Sequence, residues 1–162
     1  MAAGGSAGVS ADDAKLVQGH WTEVKKNLTG IGVDIFMAMF QQHPEYQKLF
    51  PKFSNVPLSE LRGNSNLVKH ATMVMEALTT VVGDLSKPAE NLEKLRQLGR
   101  KHAKFHLTEA HFQTIRKAIL DVLKQKLGSK MDGAAEKSWN KVLDFVFSGM
   151  MAGVQEGLKQ TK

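Results

Sequence analysis

Cysteine is absent from the 162 residues, so the chain has no disulfide framework and no thiolate nucleophile or metal ligand. Any metal must be held by histidine or carboxylate, and a cytoplasmic setting is expected. Long apolar runs are missing as well. None approaches the roughly 20 residues of a transmembrane helix, so no membrane span is expected. Proline occurs four times, at 44, 51, 57 and 88, which leaves long intervals free of helix breakers. Acidic residues are outnumbered, 16 against 22 Lys and Arg, giving a net charge of +6. That excess would suit an acidic partner, but the basic residues are scattered and no nucleic-acid motif collects them. Neither nucleic acid nor membrane is an expected partner, although a basic helical binder of one or the other stays open as a reading of another class. The opening "MAAGGSAGVS" shows neither the basic start nor the apolar core of a signal peptide, and Ala2 stands where myristoylation requires glycine. Residues 1–10 are expected to form a flexible tail and 11–162 a single domain.

What is present is helical periodicity, with no sustained strand-like alternation. The fold class is all-α. Ser10 followed by Asp13 predicts an N-cap with an acidic third residue, opening a helix that carries Leu16, Trp21, Val24 and Leu28 on one face and ends near Gly30. A second helix is expected over about 31–42, with Ile35, Phe36, Met39 and Phe40 as its apolar stripe, until His43-Pro44 turns the chain. A short helical segment to Leu49 follows. Residues 50–66 should be mostly loop, with one helical turn at Leu58 to Arg62. Helices are then expected over about 65–82, from Pro88 through His102, from a Thr108 cap to Leu127, and from an Asp132 cap to about Leu158.

The histidines carry the functional question. In "LGRKHAKFH", His102 and His106 are four residues apart and share one side of a helix. They can be metal ligands, part of a basic patch, or polar residues near a helix end, and within this stretch alone the last reading outweighs any ligand reading. A zinc site would need further ligands, and neither "HExxH" nor cysteine supplies them. His102 also shares a face with Leu92, Leu95 and Leu98. In "LVKHATMVMEAL", His70 lies on an apolar face with Val74 one turn later. Two helices can thus each aim one imidazole inward among Val, Leu and Phe, an arrangement suited to a flat apolar ligand such as haem, whose iron accepts neutral imidazole. His20, His43 and His111 are left as surface or helix-end residues. The eight methionines are expected to be core filler.

From about Ser10 to Leu158 the chain resembles the globin family. "DIFMAMFQQHPEYQKLFPKF" is similar to the globin segment that ends in the haem-stacking phenylalanine, here Phe50, with the helix-breaking Pro44 inside it. "LVKHATMV" resembles the distal segment and "LRQLGRKHAKFH" the proximal one, and the 32 positions from His70 to His102 are close to the interval usual in the family. Trp21 and the small pair Gly32 and Ala71 agree. The resemblance implies a globin fold of about eight helices, three over three, around haem b. His102 would be the iron ligand, its other ring nitrogen bonded to a carbonyl near Leu98, with no serine beside it as in many relatives. His70 would be the distal hydrogen-bond donor to dioxygen, or a displaceable sixth ligand of the resting iron. Phe36 would narrow the distal pocket. Val74, Leu98, Leu107, Phe112, Ile115 and Val146 would line the pocket, Phe53 would stand at its edge, and Lys52, Lys101 and His106 would approach the propionates. The implied partners are dioxygen, carbon monoxide and nitric oxide, and the implied state is a monomer or homodimer. With no reductase domain among the 162 residues, oxygen binding is expected rather than turnover. Nitric oxide dioxygenation, redox or gas sensing is the alternative at the same haem.

Overall fold

A computed structural model describes residues 8–160. Most of the expected tail, residues 1–7, lies outside the described residues. Val9 is already half-buried against the core, and Ser10 caps the first helix. The Ser10 hydroxyl accepts from the Asp13 N–H at 3.0 Å while the Asp13 carboxylate accepts from the Ser10 N–H at 3.0 Å.

Among the described residues there are seven α-helices and four short 3-10 turns. The α-helices are α1 (Ala11–Val24), α2 (Leu28–Gln42), α3 (Leu58–Leu61), α4 (Ser65–Gly83), α5 (Pro88–His102), α6 (Glu109–Leu127) and α7 (Gly133–Gln160). The expected boundary at Gly30 is wrong by several residues. The chain leaves helical geometry at Asn27, φ −144°, and a 3-10 turn over Lys25–Asn27 joins α1 to α2. Gly30 lies inside the first turn of α2, where a Cβ would fall 2.5 Å from the Asn27 side-chain oxygen. Its missing side chain therefore makes room for Asn27 instead of ending a helix.

α1, α4 and α5 form one layer and α2, α6 and α7 the other. α2 crosses α4, and α5 packs along α7 in the most extensive pairing. The α2–α4 crossing is close because Gly32 meets Ala71: a Cβ on Gly32 would lie 3.1 Å from the Ala71 carbonyl oxygen and 2.6 Å from Met75 Cγ. Between the layers Trp21, Phe40, Leu67, Met75, Leu123, Trp139 and Leu143 are buried, each large apolar side chain contributing about 1.5–3 kcal/mol by leaving water. Polar pins cross the same interior. Trp21 Nε1 donates to Thr79 Oγ1 at 2.8 Å, and the buried Asn91 amide donates to the Asp84 carbonyl at 2.8 Å. The second of these fixes the turn from α4 into α5, and so fixes where α5 begins.

Candidate functional site

α4 begins at an Asn64 cap, whose side-chain oxygen accepts from the N–H groups of Asn66 and Leu67 at 3.0 and 3.1 Å. The sixth residue of α4 is His70. Its imidazole makes T-shaped contacts with two phenylalanines, with centroids 5.2 Å from Phe36 of α2 and 5.1 Å from Phe50 of the loop before α3. Phe53 stacks on Phe50 at 5.1 Å and 14°, and Phe40 closes the group against both rings. Burial, and then the electrostatic influence of His102, push the His70 pKa down to about 4. At neutral pH His70 is therefore an uncharged imidazole with one N–H and one lone pair.

The loop that carries Phe50 and Phe53 is held by a residue that sequence reasoning missed. Gln47 is buried, and its amide donates to the carbonyls of Phe53 at 2.8 Å and Val56 at 2.7 Å. Nothing local announces that role, since a glutamine beside Tyr46 and Lys48 reads as surface.

α5 ends at His102, which is half-buried. Its Nδ1 lies 2.8 Å from the Leu98 carbonyl oxygen, one turn back. A carbonyl oxygen only accepts, so Nδ1 carries a proton, and in the neutral ring the lone pair lies on Nε2.

The other expected residues fall in three groups. Val74, Leu98, Leu107 and Ile115 are half-buried and Val146 is buried. Lys52, Lys101 and His106 are exposed, and none forms an ion pair among the described residues. His106 adopts the left-handed region, φ 54°, with its N–H donating to the Ala103 carbonyl at 2.9 Å. Phe112 is set apart from the Phe36–Phe50–His70 group. It is buried against Phe147, 5.5 Å between centroids, and lines a groove of about 380 Å³ between α6 and α7 with Glu109, Arg116 and Asp144. The remaining histidines have structural partners. His20 accepts from Trp139 Nε1 at 3.0 Å, His43 stacks on Tyr46, and His111 accepts from the Thr108 N–H at 2.9 Å at the start of α6.

Among the described residues no group of three or more His, Asp or Glu side chains converges to hold a bare metal ion. Two imidazoles from separate helices, with phenylalanines beside one of them, can hold a metal that brings its other ligands in an apolar macrocycle. The donor set fits haem in that respect.

The sequence model of one family, described as Globin, matches residues 33–150. Globin CTT-I/CTT-IA of Chironomus thummi thummi is 34% identical over 145 residues, which cover 88% of this chain and 87% of the relative. Myoglobin of Cyprinus carpio is 32% identical over 136 residues, covering 83% and 88%. A crystal structure of a hexacoordinated heme protein from an anhydrobiotic tardigrade has the same fold, with a TM-score of 0.85 over 94% of this chain and 99% of that one, at 20% identity.

Proposed function

This chain belongs to the globin family, and on that premise we propose that it binds dioxygen reversibly at haem b, for storage, transport or facilitated diffusion, rather than turning a substrate over. The reading takes residues 11–162 as one domain, a monomer or homodimer in the cytoplasm. No helix among the described residues is long and apolar enough to cross a membrane. When bound, haem would supply a ferrous iron able to coordinate dioxygen, carbon monoxide or nitric oxide.

The observation that carries the proposal is the pair of differently prepared imidazoles. His102 has its Nδ1 proton committed to Leu98 O at 2.8 Å, which fixes the tautomer and leaves Nε2 as a lone-pair donor to iron. His70, kept neutral by burial, offers either an N–H to a gas ligand or its own lone pair to the iron, which would make the ligand-free protein six-coordinate. The T-shaped contacts of Phe36 and Phe50 restrict the tilt of that ring, and Phe36 excludes water from its side without donating a hydrogen bond. Phe53, Val74, Leu98, Leu107, Ile115 and Val146 would supply the apolar wall. Lys52, Lys101 and His106, exposed and without ion-pair partners among the described residues, would meet the propionates, each contributing about 0–1 kcal/mol.

The test is the absorption spectrum of purified, reduced protein expressed with adequate haem. A haem spectrum is expected. A low-spin deoxy-ferrous form would assign His70 as sixth ligand, and a high-spin form would assign it as a donor to the gas. A chain that folds but carries no haem would refute the proposal, and salt-sensitive binding to nucleic acid or anionic vesicles would then favour the basic-binder alternative.

A further inference from the structure

α5 carries His102 at its last residue, so whatever fixes α5 fixes that imidazole. The seam between α5 and α7 is built from glycine. Gly149, Gly153 and Gly157 recur every four residues along α7, and Gly99 of α5 meets the middle one, Gly153. A Cβ on Gly99 would lie 3.0 Å from the Gly153 Cα and 3.0 Å from the Met150 carbonyl carbon, with the Met150 oxygen nearer still. A Cβ on Gly153 would lie 2.8 Å from the Arg96 carbonyl carbon and 2.9 Å from its Cα, again with the oxygen nearer. The contact is reciprocal: each helix presents a carbonyl to a glycine Cα–H of the other. A Cβ on Gly157 would lie 2.5 Å from Ala103 Cβ, just beyond His102. Beside this interlock the Glu156 carboxylate takes Arg100 at 2.7 Å and also pairs with Arg96, one turn earlier on α5.

We propose that this seam is a positioning device for the His102 imidazole. Gly99 and Gly153 set how close α5 lies to α7, and Glu156 sets its register along α7. The device rests on the reading of His102 as iron ligand, and it supplies through backbone contact the constraint that a hydroxyl beside the ring would otherwise give. Because Nδ1 is tied to Leu98 O, the ring moves with the body of α5. A methyl group at position 153 meets backbone that cannot rotate aside, so the helices must separate by several tenths of an ångström, and Nε2 is carried with them.

The experiment compares ferrous haem protein of the parent, Gly153→Ala and Glu156→Gln, each in a His70→Leu background so that histidine 70 cannot occupy the sixth position. The readouts are the iron–histidine stretching band in resonance Raman spectra and haem transfer to excess acceptor apoprotein. Gly153→Ala is expected to shift and broaden the band and to speed haem transfer at least tenfold. Glu156→Gln should shift the band in the same direction by less. Gly19→Ala, where a Cβ meets nothing within 4 Å, should leave it in place. A lower melting temperature with an unmoved band in both seam variants would assign the seam to stability alone and overturn the proposal. If Gly153→Ala fails to fold, the band of Glu156→Gln decides. His102→Gly separates the two readings: a band that survives it refutes His102 as ligand, whereas a band lost in His102→Gly but indifferent to the seam refutes only the positioning role.

Discussion

Replacing Gln47 tests how the aromatic side of the site is held together. Its amide makes two hydrogen bonds, 2.8 Å to the Phe53 carbonyl and 2.7 Å to the Val56 carbonyl. The Phe53 carbonyl also accepts from the Val56 N–H at 3.3 Å, so the Val56 carbonyl is the one that leans most on Gln47. Gln47→Ala removes two neutral hydrogen bonds, each worth about 0.5–1.5 kcal/mol net, and leaves the half-buried Val56 carbonyl short of a donor, at a further cost of about 1 kcal/mol or more. Allowing for partial relaxation of the loop, about 2–4 kcal/mol is expected. For a chain of this size 1 kcal/mol moves the melting temperature by about 2–4 °C, so the shift should be about 4–16 °C.

Gln47→Glu sharpens the test because it keeps the shape and reverses the polarity. An ionised carboxylate would face two carbonyl oxygens with no proton to give. Folding would therefore raise its pKa above the ordinary value of about 4.3. A carboxyl with a raised folded pKa binds protons more readily in the native state, so the variant should gain stability relative to the parent as pH falls through that raised value, and lose it as pH rises. Urea denaturation of the haem-free protein at pH 5 and pH 8 measures the difference, and haem transfer measures the consequence for the site. Looser Phe50 and Phe53 should release haem faster. A Gln47→Ala variant within 1 kcal/mol of the parent, together with a Gln47→Glu pH profile parallel to it, would refute the pinning argument.

Three other outcomes follow from the same geometry. His70→Leu should speed dioxygen dissociation by roughly tenfold to a hundredfold, since a hydrogen bond to an acceptor of anionic character is worth about 1.5–3 kcal/mol; carbon monoxide, less polar when bound, should respond much less, and equal effects on both gases in flash photolysis would remove His70 as donor. Asp13 accepts from Ser138 Oγ at 2.6 Å, from the Ser10 N–H at 3.0 Å and from Lys141 Nζ at 3.2 Å, and these bonds hold its carboxyl far below the ordinary carboxylate range. The lowered pKa contributes stability above about pH 4 that is lost as pH falls toward the folded value, so the deficit of Asp13→Asn, read by thermal unfolding, should be constant from pH 7 to pH 5 and shrink below pH 4. His20 has a pKa lowered by burial and by Lys130, against the opposing pull of Asp132, and it accepts from Trp139 Nε1. The folded state therefore resists the proton that the unfolded state takes, and stability falls as pH drops below about 6.5; His20→Gln keeps an acceptor without titrating, so a slope between pH 5 and pH 7 as steep as the parent's would show that this contact is not the sensor.

Much of the helical plan was legible because its signals are local. Ser10 with Asp13, Thr108 and Asp132 each mark a helix start through a bond to a residue three positions away, Pro88 marks one through its fixed φ at the first position, and the structure places helices behind all four. The facing of His70 and His102 was legible for a related reason, because helical phase alone puts them with Val74 and with Leu95 and Leu98. The α1–α2 boundary failed where locality failed. Gly30 has the propensity of a terminator, but its lack of a side chain is used by Asn27 three residues earlier, a packing relation that propensity does not contain.

The support of the site was hidden for a deeper reason than sequence distance. Gln47 bonds to carbonyls of Phe53 and Val56, His102 to that of Leu98, and Gly153 lies against that of Arg96. Every residue owns a carbonyl, so sequence says nothing about which one is recruited. Histidine, by contrast, is rare here, with six in the chain, and a rare residue on an apolar face narrows the choices by itself. The α7 glycines show the boundary between the two cases. Their four-residue spacing is visible in "SGMMAGVQEGL", yet spacing marks only a face that tolerates close approach, and α2 or α6 could have filled it as well as α5. Residues that do chemistry are thus named by their side chains, whereas residues that set geometry are named by the backbone they touch. If the proposed site is right, substitutions at His70 and His102, chosen from sequence, should change ligand affinity, and substitutions that test how those imidazoles are aimed must come from the packed structure, at Gln47, Gly153 and Glu156.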